Sequence, residues 1–356
     1  MSQTAATEAP PAGALPAHDD VRDDAREGTG GTDAAPAARP VRKPRLFARN
    51  AVSFVVLWAL MIAVPFVAPN FYVVSLVNLF LIYVILIASL NLVIGFCGQI
   101  SLGHAGFFGL GAYASGILSA KFGLTPWLGL PAAALAGGLG AFVIGLPALR
   151  LHGHYLAMAT LGFNAILVVL FNELIPLTGG PNGLLGIEPF ALGPIALDTD
   201  ETVFWLVWIV SLVVMIAIAN LVDSRMGRSL RAIGGSERGA ASLGIDTYRT
   251  KLATFAIAGA MAGIAGSLYA HVNLYVSPET FSVFPSIMLL VMVALGGTGR
   301  LWGPIFGAAV FIAVPQVLLD FADLELLLFG LAMLIVLIGF PAGIAGLADG
   351  WRRWLK

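Results

Sequence analysis

The chain has 356 residues, of which 58% are hydrophobic and 11% charged, whereas soluble domains carry roughly a quarter charged residues. This composition excludes an ordinary soluble protein, and apolar runs that follow one another from residue 51 to 347 predict one membrane domain. The formal net charge of -1 is uninformative as a total, and Cys97 is the single cysteine, which excludes an intrachain disulfide and a cysteine-based metal cluster.

Residues 1–50 differ from the rest of the chain, because they are rich in Ala, Pro, Gly and Asp and lack an apolar run. We expect them to form a disordered cytoplasmic tail. A secretory signal would need a basic start followed directly by an apolar stretch, so we expect no cleavage.

Ten apolar runs follow the tail. A helix needs roughly 20 apolar residues to cross the hydrocarbon layer, where every backbone polar group must be paired internally. The runs therefore predict an all-α integral membrane protein with about ten transmembrane helices and a short basic C-terminus, residues 348–356. The predicted spans are 51–69, 74–95, 104–120, 127–149, 155–176, 203–222, 251–275, 283–297, 303–319 and 326–346.

The charges indicate how these spans are oriented. Lys and Arg number 7 in residues 1–50, 6 in residues 223–251 and 3 after Trp351, whereas the connections after the fifth and ninth spans carry acidic residues without Lys or Arg. Because cytoplasmic loops accumulate Lys and Arg, this asymmetry predicts that both termini are cytoplasmic.

The segment after the second span reads GFCGQISLGHAGFFGLGAYASG, residues 95–116. Its glycines at 103, 106, 109 and 111 allow neighbouring helices to approach closely, so helix packing explains them at least as well as a pathway. Gln99, Ser101 and His104 are polar side chains at an expected helix break, where backbone often lines a cavity. We take these three as candidates for a solute pathway.

Three further polar residues within the spans are pathway candidates: Asn91, Asn164 and Gln316. Burying such groups in hydrocarbon is costly unless they find partners or water. The alternative for each is an interhelical hydrogen bond worth about 0.6 kcal/mol. A related glycine-rich break recurs as ALGGTGRLWGPIFGAAV, residues 294–310, and weakly suggests an internal repeat.

The most informative polar segment is DSRMGRSLRAIGGSERGAASLGIDTYRTK, residues 223–251. It is amphipathic, with an apolar side that includes Leu230, Ile233, Ala240, Ala241 and Leu243, and a basic side of arginines. One interpretation is an anchor along lipid headgroups, and the other is a short cytoplasmic helix that docks into a partner protein. The docking candidates are Arg228, Arg231, Glu237, Ala240, Ala241, Leu243 and Gly244.

Residues 227–270 resemble the coupling-loop region of LivM-type permeases of branched-chain amino acid ABC importers. The segments at 95–116, 177–187 and 294–310 are similar to the same family. Its degenerate importer motif corresponds to Ala240, Ala241 and Gly244, whereas the acidic residues usual in the family are replaced here by Gly234, Gly235 and Ser236. The TGGxxGL pattern at 177–187 lies in a predicted outer loop that could meet a solute-delivering protein, or be a plain surface turn.

The resemblance implies a fold like that of the vitamin B12 class of ABC importers, in a bacterial plasma (inner) membrane. It also implies a second homologous permease subunit, two cytoplasmic ATPase subunits and an extracytoplasmic solute-binding protein. The chain has no GxxxxGK[ST] phosphate loop, so ATP-Mg is expected in the partner ATPase, with no cofactor, metal or catalytic residue in this chain. Membrane lipid is an expected partner and nucleic acid is not.

The expected function is therefore a transport subunit, not an enzyme, with branched-chain amino acids or similar small zwitterions as cargo. Urea, short amides and aromatic acids remain alternatives, because close relatives of the family carry them. An ion-gradient-driven secondary transporter is an alternative of another class, although the spans offer no convincing titratable residue near mid-membrane. We expect a mostly apolar path without a fixed charge.

Overall fold

The computed structural model describes residues 46–67, 70–192 and 195–318, together with residues 330, 331, 334, 343 and 344. These residues belong to one compact unit, 44–356, and fold almost entirely into helices. The α-helices are α1 Leu46–Ile62, α2 Val64–Val67, α3 Phe71–Asn91, α4 His104–Ala120, α5 Pro126–Ala148, α6 His154–Glu173, α7 Ile175–Thr178, α8 Asp200–Asp223, α9 Arg225–Gly235, α10 Glu237–Ser242, α11 Thr247–Asn273, α12 Val283–Gly296 and α13 Gly303–Leu318.

Short elements complete the described part. A π-helical turn, Leu92–Phe96, continues α3, and 3-10 turns span Gly180–Asn182 and Pro278–Phe281. The antiparallel pair of two-residue strands, β1 Ala191–Leu192 and β2 Ile195–Ala196, is the one departure from the predicted all-α class in the described ranges.

Nine of the ten predicted spans coincide with helices. Five of the described helices are long and apolar enough to cross a membrane: Phe71–Phe96, Pro126–Ala148, His154–Glu173, Asp200–Asp223 and Thr247–Asn273. The tenth predicted span, 326–346, and the C-terminus 348–356 fall almost wholly outside the described residues. So does the predicted tail up to residue 45, whereas α1 already begins at Leu46, within the segment assigned to that tail.

The centre of the helix packing is formed by α3 and α11, which are the most buried of the long helices. Helix α11 packs against α4 and α5 through glycines. A Cβ atom added to Gly259 would lie 2.5 Å from the carbonyl oxygen of Gly137, and one added to Gly111 would lie 2.3 Å from the Cα atom of Gly263. Only glycine permits this backbone-to-backbone approach, which is typical of helix association in lipid.

The helix connections gather at two ends of the molecule. We call the first the basic end, which comprises the connections α3–α4, α5–α6, α8–α11 and α12–α13. There the hydroxyl of Tyr248 donates to the carbonyl of Leu146 at 2.8 Å, and a Cβ added to Gly98 would lie 3.2 Å from the Cα of Gly234. These contacts join segments that the charge asymmetry predicts to lie on the same side of the membrane.

The second, the acidic end, comprises the connections α4–α5, α7–α8 and α11–α12. Leu184 and Val276 exchange two backbone hydrogen bonds there, of 2.8 and 3.2 Å. Lys121 donates to the carbonyl of Pro176. The grouping agrees with the alternation of sides that the sequence predicts, including the placement of Lys121 opposite the basic loops.

Candidate functional site

The segment between α3 and α4, residues 97–103, is non-helical backbone, in which Ser101 and Gly103 are buried and Gly98 and Ile100 are exposed. Near its end the N–H of Leu102 donates to Thr160 Oγ1 at 3.0 Å, and the carbonyl of Leu102 accepts from Ser286 Oγ at 2.5 Å. Thr160 lies on α6 and Ser286 on α12, so two helices pair the backbone of Leu102. Non-helical backbone that is shielded from water needs such partners.

Three predicted pathway residues surround this break. His104 begins α4 and its Nε2 lies 2.7 Å from Ser89 Oγ, while Asn164 Nδ2 donates to the carbonyl of Phe281 at 3.3 Å. Ser101 is fully buried. His104 Nδ1, Ser101 Oγ and Asn164 Oδ1 are buried and find no hydrogen-bond partner within the described part of the chain. The break therefore carries polar atoms with unused bonding capacity, a feature that needs an explanation in a folded protein.

The other three pathway candidates lie elsewhere. Asn91 braces the basic end, since its Oδ1 accepts from the Gly299 N–H and its Nδ2 donates to the Arg300 carbonyl, both at 2.9 Å. Gln99 makes a long 3.4 Å bond to the carbonyl of Cys97 two residues away. Gln316 accepts from the Tyr72 hydroxyl at 2.7 Å near the acidic end.

A small cleft of about 100 Å³ opens between α3, α4, α12 and α13. Its lining is almost entirely apolar and includes none of the six predicted pathway residues, although Ala105 joins it directly to His104. Sequence reasoning missed the cleft, because aromatic and Met side chains in a span look the same whether they fill a core or line a cavity. The lining residues are Tyr83, Leu86, Ala105, Phe108, Thr280, Phe284, Pro285, Met288, Leu289, Met292 and Phe311.

Glycines allow the helices around the break to pack closely. A Cβ added to Gly103 would lie 2.6 Å from the Thr160 carbonyl, and one added to Gly106 would lie 2.7 Å from Asn164 Oδ1. At Gly109 the added atom would meet the rings of Phe171 and Phe281 at 2.8 Å. The packing interpretation of the glycines in 95–116 is therefore confirmed.

The polar segment 223–251 folds into α9, α10 and the first turn of α11, and each helix begins at a side-chain cap. Ser224, Ser236 and Asp246 accept hydrogen bonds from the backbone N–H three residues on, at 3.4, 3.1 and 3.0 Å. Such N-caps satisfy backbone donors that a helix start leaves unpaired. The segment is thus a defined helical structure at the basic end.

Its apolar residues divide into two groups. Leu230, Ile233 and Ala240 are buried against the rest of this chain, so the docking candidate Ala240 is not exposed to a partner. Ala241 and Leu243, which the sequence placed on the same apolar side, are exposed, with Leu243 at 79%. The prediction of a single apolar side was wrong because the segment forms two short helices and α10 ends at Ser242, so Leu243 lies beyond the buried face of α10. We call the exposed residues Ala241, Leu243 and Gly244 the α10 tip.

The charged candidates fasten the segment to the molecule. Arg231 donates to the carbonyl of Val222 at 2.9 Å, and Arg228 reaches the carbonyl of Asp223 at 3.5 Å. Glu237 Oε1 lies 2.5 Å from Lys251 Nζ, and the Lys251 side chain is 2% exposed. The sequence interpretation missed this ion pair because it treated Lys251 as a loop cation.

Two of the three residues that replace the family's usual acidic residues, Gly234 and Ser236, have specific contacts in the structure. A Cβ added to Gly234 would lie 2.8 Å from the Phe96 carbonyl oxygen, so the end of α9 packs directly on the α3–α4 break. Gly235 has open space, and Ser236 caps α10. The coupling candidates and three of the pathway candidates therefore belong to adjoining segments.

A second polar network, absent from the sequence prediction, lies toward the acidic end. His271 on α11 donates from Nδ1 to the Glu188 carbonyl at 2.6 Å, and its Nε2 lies 2.8 Å from Ser115 Oγ, which contacts Ser267 Oγ at 2.8 Å. With Nδ1 as the donor, a neutral imidazole accepts from the Ser115 hydroxyl. The network ties the α7–α8 connection, which the sequence predicts to be an outer loop, to α4 and α11.

The loop at 177–187 is folded onto the same region. Gly183 has φ +76°, and a Cβ there would lie 2.5 Å from the Val276 carbonyl oxygen, so glycine is required for this turn. Gly180, Leu184 and Ile187 are buried, whereas Leu185 is 68% exposed. The predicted tight turns are present.

Comparison with known proteins agrees with this geometry. Residues 72–337 match the family described as branched-chain amino acid transport system, permease component. The chain is 34% identical over 313 residues to the high-affinity branched-chain amino acid transport system permease protein LivM of Escherichia coli, covering 82% of this chain and 73% of that protein.

Two further relatives extend the comparison. LivM of Salmonella typhimurium is 32% identical over 85% of this chain and 75% of its own length. The permease protein LivH of the same organism is 25% identical over 74% of this chain and 91% of its own length. No solved structure matches the chain.

Proposed function

This chain belongs to the family of permease components of branched-chain amino acid transport systems, and from that premise we propose how its structure serves ATP-driven import. It is a multi-pass membrane protein and a transport component, not an enzyme. The cargo is a branched-chain amino acid. The single observation that carries this function is the 34% identity to LivM of Escherichia coli over most of both chains.

The arrangement of the two ends supports an orientation in a bacterial inner membrane. The basic end faces the cytoplasm and the acidic end the opposite side, as the concentration of Lys and Arg in residues 223–251 indicates. Ten spans with both termini in the cytoplasm, in a fold like that of the vitamin B12 class of importers, complete the proposed architecture. A homologous permease subunit, two ATPase subunits and a solute-binding protein complete the importer.

The α10 tip is the proposed contact for an ATPase subunit. Leu243 is an apolar side chain at 79% exposure at the basic end, and it adjoins Ala241 and Gly244. An exposed apolar side chain of this kind suits a small groove on a partner. Closure of the ATPases then displaces α10 together with α9, which packs against the α3–α4 break, and so alters access to the cleft.

The cleft and the break together suit an amino acid that has an apolar side chain. The cleft lining is almost entirely apolar, which suits the side chain of such a cargo. His104, which precedes the lining residue Ala105, and Ser101 and Asn164 carry buried hydrogen-bonding atoms that we assign to the polar ends of the cargo. No Lys or Arg lines this cleft, in keeping with the expected path without a fixed charge.

The function is tested in proteoliposomes that contain this chain with the companion permease, ATPases and binding protein. We expect uptake of leucine that requires both ATP and the ATPase subunits. Uptake by the permease alone under an ion gradient would instead establish a secondary transporter, and ATP-dependent uptake restricted to urea or amides would change the cargo.

The docking role is tested by Leu243→Asp, with Leu185→Asp at the acidic end as the matched control. We expect Leu243→Asp to weaken ATPase binding roughly tenfold or more, because a buried interface anchor becomes charged. Leu185→Asp should leave that affinity unchanged. If both variants bind the ATPase as tightly as the unmodified permease does, the α10 tip is not part of the interface. Arg231 is a poorer probe, since it also holds the Val222 carbonyl.

A further inference from the structure

We propose that α11 couples movement at the ATPase contact to movement of the outer loop. The Glu237–Lys251 ion pair fixes α11 to α10, and we call it the inner joint. His271 fixes the other end of α11 to the outer loop, and we call it the outer joint. This rests on the importer function proposed above. It assigns positioning roles to three residues at the two ends of one helix.

The inner joint connects α11 to the short helix that bears the α10 tip. Glu237 is the first residue of α10, and Lys251 lies in the second turn of α11, 2.5 Å away. The Lys251 side chain is 2% exposed, and Glu237 is its ion-pair partner within the described residues. A buried ammonium separated from its carboxylate is strongly disfavoured, so α10 and α11 must move together.

This joint differs from the exposed pair beside it. Arg249 and Asp246 also form an ion pair, of 3.1 Å, but their side chains are 86% and 56% exposed. Water replaces such contacts at little cost. Displacement of α10 is therefore transmitted through Lys251, and Arg249 provides a control on the same helix.

The outer joint connects the other end of α11 to the outer loop. His271 Nδ1 donates to the Glu188 carbonyl at 2.6 Å, and the Phe190 ring packs on the imidazole with centroids 4.7 Å apart. Glu188 N–H in turn donates to Ser119 Oγ on α4 at 3.1 Å. A shift of His271 thus has to move the backbone of the outer loop or break a buried hydrogen bond.

Between the joints α11 is an uninterrupted helix. The twenty helical steps from Lys251 to His271 span about 30 Å at 1.5 Å per residue. Gly259, Gly263 and Gly266 bring the α11 backbone directly against α5 and α4, so no side chain of α11 cushions these three contacts. Tightly packed interfaces shift between discrete arrangements instead of deforming gradually. Both ends therefore respond as one body.

The proposal is tested in the complete reconstituted importer by measuring leucine uptake per ATP hydrolysed and the stimulation of ATP hydrolysis by loaded binding protein. We expect Glu237→Gln to lower uptake per ATP roughly tenfold, within the usual range of coupling between sites. The exchanged pair, Glu237→Lys with Lys251→Glu, should recover most of that loss. His271→Leu should abolish stimulation by the binding protein.

Arg249→Gln and Asn273→Ala, exposed changes on the same helix, should match the unmodified importer in both measurements. Normal uptake per ATP in Glu237→Gln together with normal stimulation in His271→Leu would overturn the proposal. So would a loss in Glu237→Gln that the exchanged pair fails to recover while it still assembles. Absence of ATP-dependent uptake by the unmodified importer would instead refute the proposed function.

Discussion

Polar side chains within the spans differ in how much of their hydrogen-bonding capacity the structure uses. The amide of Asn91 uses both its oxygen and its nitrogen on the backbone of residues 299 and 300. The amide of Asn164 uses its nitrogen alone, and its buried oxygen finds no partner in the described ranges. Asn91 is therefore a structural brace, and Asn164 retains the capacity to bind a solute.

Asn91→Leu should destabilise the protein, because it removes two hydrogen bonds to the part-buried backbone of Gly299 and Arg300 in the α12–α13 connection. Each such loss costs about 1–3 kcal/mol. Thermal unfolding of the purified chain in detergent should show a clear fall in the midpoint. Asn273→Ala, at an exposed position, should change it little, and an unchanged midpoint in Asn91→Leu would refute the bracing role.

Asn164→Leu should show the opposite pattern. The substitution gives up one long hydrogen bond of 3.3 Å and removes an unpaired buried oxygen, so the free energy of unfolding should change by less than about 1 kcal/mol. Leucine uptake should nevertheless fall several-fold. Full uptake by a stably folded Asn164→Leu importer would show that Asn164 does not contact the solute.

At the scale of helices, hydropathy predicted most boundaries to within a few residues, because the membrane imposes a minimum apolar length on each span. The prediction of 104–120 coincides with α4, and that of 283–297 differs from α12 by one residue. α11 begins at Thr247 instead of 251, since its cap, Asp246, is a local signal that hydropathy does not detect.

The site was less accessible to sequence reasoning, because its contacts join residues that are far apart in the chain. The separation of Ala240 from Leu243 depends on the end of α10 at Ser242, and the ion pair of the buried Lys251 depends on Glu237 folding back toward it. The cleft needs four helices to assemble. Periodicity within one helix contains none of this information.

The junction between α9 and the α3–α4 break makes a prediction at this scale, with adjacent glycines as a matched pair. Gly234→Ala should destabilise the protein by about 1–3 kcal/mol, because the new methyl group meets the Phe96 carbonyl oxygen at 2.8 Å. Gly235→Ala has open space and should be neutral or slightly stabilising in a helix. Thermal unfolding of both variants measures the difference, and equal midpoints would exclude the close contact.

At the scale of the whole molecule, the two ends are chemically distinct and are joined through the buried helices α3 and α11. The α10 tip lies at the basic end, and Leu185 lies in the loop at the acidic end. Coupling an energy source on one side to solute arrival on the other requires these ends to face opposite compartments. The orientation is therefore the assumption on which the importer mechanism depends.

The single native cysteine makes that orientation measurable. Burial raises the pKa of the Cys97 thiol to about 12, so it should resist labelling, and Cys97→Ala provides a background without thiols. In that background Leu185→Cys should react with a membrane-impermeant maleimide in intact cells. Leu243→Cys should react only in inside-out vesicles, because the charge asymmetry places the α10 tip in the cytoplasm. Labelling of Leu243→Cys from outside the cell would show that the α10 tip faces away from any cytoplasmic ATPase. That result would refute both the orientation and the coupling mechanism.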